Sequence, residues 1–172
     1  MPEIEKGEID HALEKWAEHI ASSHAREETL GLVGLVSHGD VLAQRLTRIL
    51  REKGFRKIQC GAIDVTLYRD DIDLRQARLA LRSSDLPFST DGMPLILVDD
   101  VVQSGRTARA ALDAIFEYGR PERVELHCLV EREGRQLPIH PDYAAFRLTE
   151  EGAGDTVRVL LTEEDGKDII EY

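Results

Sequence analysis

The sequence predicts an α/β protein, a mainly parallel sheet flanked by helices, on three observations. Apolar runs of strand length alternate with segments whose apolar residues recur at helical spacing. The runs 31-GLVGLV-36 and 95-LILV-98 are apolar throughout, as suits strands covered on both faces. The joins from run to helix are short polar turns, 37-SHGD-40 and 103-QSGRT-107.

Each element follows from its own residues. Ile9, Leu13, Trp16, Ala17 and Ile20 share one helical face, predicting a helix over 8–24. Residues 31–36 read as a strand. Leu42, Leu46, Ile49 and Leu50 mark a second helix that stops near Gly54. The run 58-IQCGAIDVTLY-68 reads as another strand. Residues 69–94 are charged, with Leu86-Pro87 and the turn Thr90-Asp91-Gly92, and carry no clear strand pattern. A third strand is predicted over 95–101. Ala108, Ala111, Leu112 and Ile115 give a third helix, stopped by Gly119-Arg120-Pro121. Strands at 124–130 and 156–161 complete the pattern. No repeat, low-complexity tract or linker interrupts it, so residues 1–172 are read as one domain.

Composition narrows the class. Hydrophobic residues make up 42% and charged residues 32%, which excludes a disordered chain. No apolar run is long enough for a membrane helix, and the start MPEIEKGEID lacks the pattern of a secretory leader, so a cytoplasmic location is expected. Cys60 and Cys128 lie among strand residues without metal-ligand spacing and are read as buried thiols. The net charge of −11 argues against nucleic acid as a partner of the whole surface. The excess acids sit at the ends, however. Residues 1–30 carry eight acids and three bases, residues 149–172 eight and two, and the middle 17 of each. The middle therefore has room for a basic face, and its cations are mostly arginine, suited to phosphate.

The chemistry concentrates in 95-LILVDDVVQSGRTARAAL-112. Asp99 and Asp100 follow a buried run, and their side chains point to opposite sides of a strand. Adjacent carboxylates resist joint burial unless cations or hydroxyl donors meet them. The loop after them leads into a helix N-terminus, where unpaired N–H groups favour an anion. Gly105 allows close approach, and Ser104 and Thr107 add hydroxyls. A diol on the acids and a phosphate in the loop together describe a ribose 5-phosphate. The competing reading is a solvated strand end with Ser104 as a helix cap. A phospho-receiver domain carries its acid pair on the first strand, unlike this chain, and a P-loop requires Gly-Lys-Ser/Thr, which is missing.

The segment 96-ILVDDVVQSGRT-107 resembles the phosphoribosyl-pyrophosphate (PRPP) signature of type I phosphoribosyltransferases. Three further stretches, 63-IDVTLYRDDI-72, 119-GRPERVELHCLVEREGRQLPIHPDY-143 and 41-VLAQRL-46, resemble the PyrR type, the pyrimidine-operon attenuation regulators with uracil phosphoribosyltransferase activity. The resemblance runs over roughly residues 8–172. It implies the type I phosphoribosyltransferase fold, with a parallel core over about 25–130, a small hood over about 131–155 and the N-terminal helix 8–24 beside it.

The resemblance also implies roles. Asp99 and Asp100 would hold the ribose hydroxyls. Gln103, Ser104, Gly105, Arg106 and Thr107 would cradle the 5-phosphate. Ser37, His38 and Gly39 would form the pyrophosphate loop, where the family usually has Thr-Arg-Gly. The neutral imidazole expected of His38 is a weaker anion partner than guanidinium, and Asp40 adds a negative charge beside it. Residues 69–94 would be the flexible loop, with Arg69 at its start and Arg75, Arg78 and Arg82 reaching pyrophosphate. Val130, Arg132 and Ile139 would surround uracil in the hood. Arg135 and Arg147 would contribute to an RNA face, although Gly134 and His140 replace basic or ring-bearing residues there. Mg2+ would arrive with PRPP, held by its oxygens and by water rather than by a protein cage. The implied partners are PRPP, uracil, UMP, pyrophosphate, an mRNA leader and further copies of the chain as a homodimer or higher oligomer. The nearest alternatives are a phosphoribosyltransferase for another base, and a UMP- or PRPP-sensing RNA-binding regulator with weak or lost catalysis.

Overall fold

The computed structural model describes residues 2–70, 73, 75, 84–149, 151, 152, 154 and 156–172. The strands of the main sheet, named in chain order with β1 reserved for Glu3–Glu5, are β2 (Leu30–Leu35), β3 (Ile58–Ile63), β4 (Pro94–Val102), β5 (Arg123–Arg132) and β6 (Tyr143–Leu148). They pair in the order β3-β2-β4-β5-β6, parallel throughout. The helices are α1 (Lys6–Ser23), α2 (Gly39–Glu52), α3 (Arg106–Ile115) and the short α4 (Thr162–Asp165). The predicted parallel α/β architecture is thus the observed one.

Alternation along the strands decides which face each residue serves. Leu32 of β2 and Ile96 and Val98 of β4 pack with Leu13, Trp16, Leu42 and Leu46 of α1 and α2. Val33 and Leu35 of β2 and Leu95 and Leu97 of β4 pack with Ala108, Ala111, Ala114 and Ile115 of α3. The continuous apolar runs of β2 and β4 are therefore covered on both sides, as their lack of polar alternation requires. Helix α1 opens with a capping box between Glu5 and Glu8, which satisfies two otherwise unpaired N–H groups.

Three expectations differ from the structure. The strand expected over 58–68 ends at Ile63, and Thr66–Tyr68 form a 3-10 turn, because the Asp64 carboxylate accepts from Thr66 N–H at 2.9 Å and bends the chain. Residues 143–148, assigned to the hood, form the edge strand β6 of the main sheet, their half-buried pattern being weaker than that of β2 and β4. The segment 156–161 gives β7 (Arg158–Leu160), outside the main sheet. It joins β1 and β8 (Ile169–Glu171) in a three-stranded antiparallel sheet ordered β1-β8-β7, made from the two ends of the chain.

The sheet order sets the site. The chain runs outward in one direction through β3 and in the other through β5 and β6. The reversal lies between β2 and β4. In doubly wound sheets ligands bind beyond the strand ends at this switch point. The loops leaving β2 and β4 are the two turns singled out by sequence.

Candidate active site

Strand β4 extends to Val102, further than the four-residue apolar run suggests, because Val101 and Val102 still pair with Val130 and Glu131 of β5. On its other side, β2 pairs only as far as Gly34↔Val98. Asp99 and Asp100 thus lie on a stretch of strand paired on one side only, beyond the end of the β2 ladder. Asp99 continues the odd-numbered face toward α3, and Asp100 points to the α1–α2 face.

Asp99 is buried. Its Oδ1 accepts from Asp100 N–H at 3.0 Å, while its Oδ2, also buried, has no hydrogen-bond partner among the described residues. Burial and the neighbouring Asp100 charge hold the Asp99 carboxyl well above the usual carboxylate range, with Arg69 opposing. Asp99, Arg69, Gln103, Ser104, Gly105 and Thr107 line one cavity of about 260 Å³. Gly105 has φ 91°, the left-handed region that glycine adopts without strain, and this turn starts α3. The loop is buttressed from behind: Gln136 and Leu137 N–H both donate to Ser104 O, at 3.0 and 3.1 Å, and Gln103 Nε2 donates to Glu133 O at 3.0 Å.

Arg106 behaves differently from its neighbours. Its guanidinium turns away from the cavity and donates to Asp70 Oδ2 at 2.8 Å and Gln136 Oε1 at 3.0 Å. It ties the phosphate-loop candidate to the start of the 69–94 segment. Arg75 is exposed, and its N–H donates to Asp73 Oδ1 at 2.8 Å. Arg78 and Arg82 lie outside the described residues.

The loop after β2 packs directly against the acids. A Cβ on Gly39 would strike the Val98 carbonyl and crowd Asp99 Cα, so only glycine fits. Beside it, His38 has φ 70° and a side chain only 16% exposed. Its Nδ1 lies 3.5 Å from Asp100 Oδ2 and 3.4 Å from Ser37 Oγ. Its Nε2 donates to Asp165 Oδ2 at 2.8 Å and lies 3.7 Å from Glu164 Oε2. These carboxylates, Asp100 foremost, outweigh partial burial and push the ring up to about 9. The expectation of a neutral imidazole is corrected: three carboxylates from distant parts of the chain keep it charged at neutral pH.

A second cavity, of about 540 Å³, opens past the ends of β4, β5 and β6. Arg132, Gly134, Arg135, Ile139, His140 and Arg147 line it, with Glu131 and Glu133 among them. Arg147 Nε donates to Glu131 at 2.8 Å. Val130 does not reach either cavity. Its side chain is fully buried in the core, because β5 is an interior strand bonded to β4 and β6.

Two groups went unnoticed in the sequence. One is the acidic turn Glu163-Glu164-Asp165, which entered there only in the acid excess of residues 149–172. The other is a buried polar chain. Trp16 Nε1 donates to His127 Nδ1 at 2.9 Å, His127 Nε2 donates to Glu125 at 3.1 Å, and Glu125 meets His24 Nε2 at 3.1 Å. Of the two cysteines expected to be buried, Cys128 is buried and Cys60 only half-buried, and burial raises both thiols. Among the described residues no helix is long and apolar enough to cross a membrane.

Comparison with known proteins converges on one family. Residues 3–159 match the phosphoribosyl transferase domain. A protein of Akkermansia muciniphila named bifunctional protein PyrR is 51% identical over 162 residues, covering 94% of this chain and 89% of that protein. One of the same name from Thermus thermophilus is 39% identical, covering 95% and 90%. Among solved structures, the hypoxanthine phosphoribosyltransferase of Trypanosoma cruzi superposes with a TM-score of 0.70 at 18% identity, over 96% of this chain and 92% of that chain, a likeness of fold.

Proposed function

The chain belongs to the phosphoribosyl transferase domain family and, within it, to the bifunctional PyrR proteins, and from that premise we propose that it converts uracil and PRPP to UMP and pyrophosphate. The observation that carries the reading is the buried Asp99, whose Oδ2 has no hydrogen-bond partner among the described residues and which lines the same small cavity as Ser104, Gly105 and Thr107. An orphaned acceptor beside a loop of N–H and hydroxyl donors suits a ribose whose hydroxyl donates to the acid while its phosphate accepts from the loop.

In this mechanism the protein forms no covalent bond to substrate. Ser104, Gly105, Thr107 and the N-terminal N–H groups of α3 hold the 5-phosphate and so fix the sugar. Asp99 and Asp100 flank it. As the bond from the anomeric carbon to pyrophosphate breaks, positive charge develops on the sugar; the fixed Asp100 carboxylate favours that charge, while Asp99, whose carboxyl is held above the usual range, holds a ribose hydroxyl. Arg69 borders the same cavity and balances the acids. Arg106 acts behind the site, joining the loop to Asp70. The 69–94 segment is proposed to close over PRPP and exclude water. Arg132 and Ile139 line the neighbouring cavity, where uracil is proposed to sit.

Mg2+ fits as a cation carried in with the substrate. The two acids project to opposite faces of β4, and among the described residues no three His, Cys, Asp or Glu side chains converge to hold a metal. PRPP oxygens and water would hold it, and its chemistry would be to neutralise the leaving pyrophosphate.

The bifunctional name of the relatives supports a second role, attenuation of pyrimidine genes through an mRNA leader, with Arg135 and Arg147 as RNA contacts. The lining around them mixes arginines with Glu131 and Glu133, so phosphate attraction is partly offset. We further propose that 1–172 acts as one domain in the cytoplasm, in a homodimer or larger assembly. The test is UMP formation by the wild type and by an Asp99→Asn, Asp100→Asn double variant. The double variant should keep its fold and lose at least about 10²-fold in turnover. Full activity in the variant would remove the acids from the mechanism.

A further inference from the structure

The family's usual arginine in the pyrophosphate loop is His38 in this chain, and the structure surrounds it in a way that nothing in its local sequence announces. Asp100 approaches from β4, Glu164 and Asp165 approach from α4, and Ser37 lies beside it on its own loop. Arg158 of β7 acts on Asp165 from behind. The ring has a carboxylate near both nitrogens, and Gly39, the next residue, begins α2 and packs against Val98 and Asp99 of β4.

The acidic turn is itself held to the body of the protein. Asp168 accepts from both terminal nitrogens of Arg45 at 3.0 and 2.8 Å, and Glu163 accepts from Arg45 Nε at 2.9 Å. Asp168 also accepts from Thr162 N–H at 2.7 Å. Asp165 accepts from Leu161 N–H at 2.8 Å. A turn clamped this firmly to α2 presents its carboxylates to His38 in one fixed geometry rather than as mobile surface charge.

We propose, building on the phosphoribosyltransferase reading, that this C-terminal turn is part of the diphosphate site: Glu164 and Asp165 are positioning residues that, with Asp100, orient His38, and His38 receives the diphosphate as an imidazolium. Asp165 occupies the Nε2–H in the free protein. A diphosphate oxygen exchanges with it, and Asp165 keeps its bond from Leu161. One acceptor replaces another, so the ring stays charged through the exchange. Unlike a guanidinium, an imidazolium can be deprotonated in an accessible pH range. Diphosphate handling in this chain therefore has an alkaline limit that an arginine would lack.

The experiment is the pH profile of kcat/KM for PRPP, which reports groups of the free enzyme. In the wild type it should break at about 9 and then fall about tenfold per pH unit. Asp165→Asn and, separately, Glu164→Gln should move the break to lower pH. The second variant leaves the Asp165–Leu161 bond in place and so controls for loss of the turn. His38→Arg should abolish the break. A break that stays put in both acid variants, or that survives His38→Arg, overturns the proposal. An independent arm needs no base and no turnover: NMR titration of the His38 ring, and calorimetric binding of inorganic pyrophosphate across the same pH range. A His38 ring titrating near 6.5, or pyrophosphate binding indifferent to pH, also overturns it. If no base is turned over but these two measurements follow the predicted profile, the enzyme reading fails and the diphosphate site stands.

Discussion

Arg45 should be the most costly single side chain to remove among the polar groups of the fold. It is 8% exposed, and its two bonds to Asp168 reach a carboxylate whose side chain is 1% exposed. Burial alone would raise that carboxyl, yet the hydrogen bonds from Arg45 and Thr162 win and hold it well below the usual range. Arg45→Met fills much of the same space with no charge. It leaves Asp168 with Thr162 N–H and hydroxyl and with Lys6, whose ammonium is 3.4 Å away and largely exposed. Breaking one partner of a buried pair costs about 3–5 kcal/mol. The surviving Thr162 bonds argue for the lower end, about 3 kcal/mol, and the half-exposed Glu163 adds less than about 1 kcal/mol. For a chain of this length that is a fall of roughly 6–12 °C in Tm. Because the folded-state Asp168 carboxyl is depressed, its contribution is present above the ordinary carboxylate pKa and lost as pH falls through the folded value. The deficit of Arg45→Met should accordingly be full at pH 7 and shrink below about pH 4. Urea unfolding of Arg45→Met, Asp168→Asn and the double variant would measure it. A loss below about 1 kcal/mol, or effects that simply add in the double variant, would refute the argument.

Two further outcomes follow from the same geometry. Glu125 is held low by His127 and His24, and His24 is held high by Glu125 and Glu28; the Glu125 contribution is lost as pH falls below its ordinary 4.5 and the His24 contribution as pH rises above its ordinary 6.5, so stability measured by thermal melts should peak between them, and Glu125→Gln should lower that peak by about 1.5–3 kcal/mol. Gly39→Ala should reduce kcat/KM for PRPP by about 10²-fold with an unchanged circular dichroism spectrum, since the added methyl must push the pyrophosphate loop off the Val98 carbonyl; a smaller than twofold effect would mean that the loop does not need this close approach.

What the sequence makes legible depends on how locally each feature is encoded. β2 and β4 were readable because strands covered on both faces leave unbroken apolar runs. That Asp99, Ser104, Gly105 and Thr107 come together was readable because the strand, its acids and the following turn are contiguous, and they line one cavity. β6 was not, since an edge strand with half-buried residues such as Tyr143 and Ala145 carries little periodic signal. The antiparallel sheet of the chain ends was hidden for another reason: Glu3 pairs with Glu171 across nearly the whole sequence. The charge on His38 has the same origin. Its nearest acceptor, Asp165, is 127 residues away, so the substitution of histidine for arginine read as a weakening until the fold placed three carboxylates around it. The burial of the Val130 side chain in the core was hidden as well, because a motif position does not say on which side of an interior strand a side chain falls.

The proposed reaction can be tested directly on the purified protein. Purified protein would be given PRPP and Mg2+ with uracil, orotate, hypoxanthine, guanine and adenine in parallel, and pyrophosphate release followed. Release is expected with uracil, and none above background with the other four. Release with a purine or orotate in preference to uracil would contradict the assignment of the base. Silence with all five, with PRPP or UMP still bound, would contradict the enzyme and leave a nucleotide-sensing regulator, whose RNA binding should then strengthen with UMP and weaken with salt.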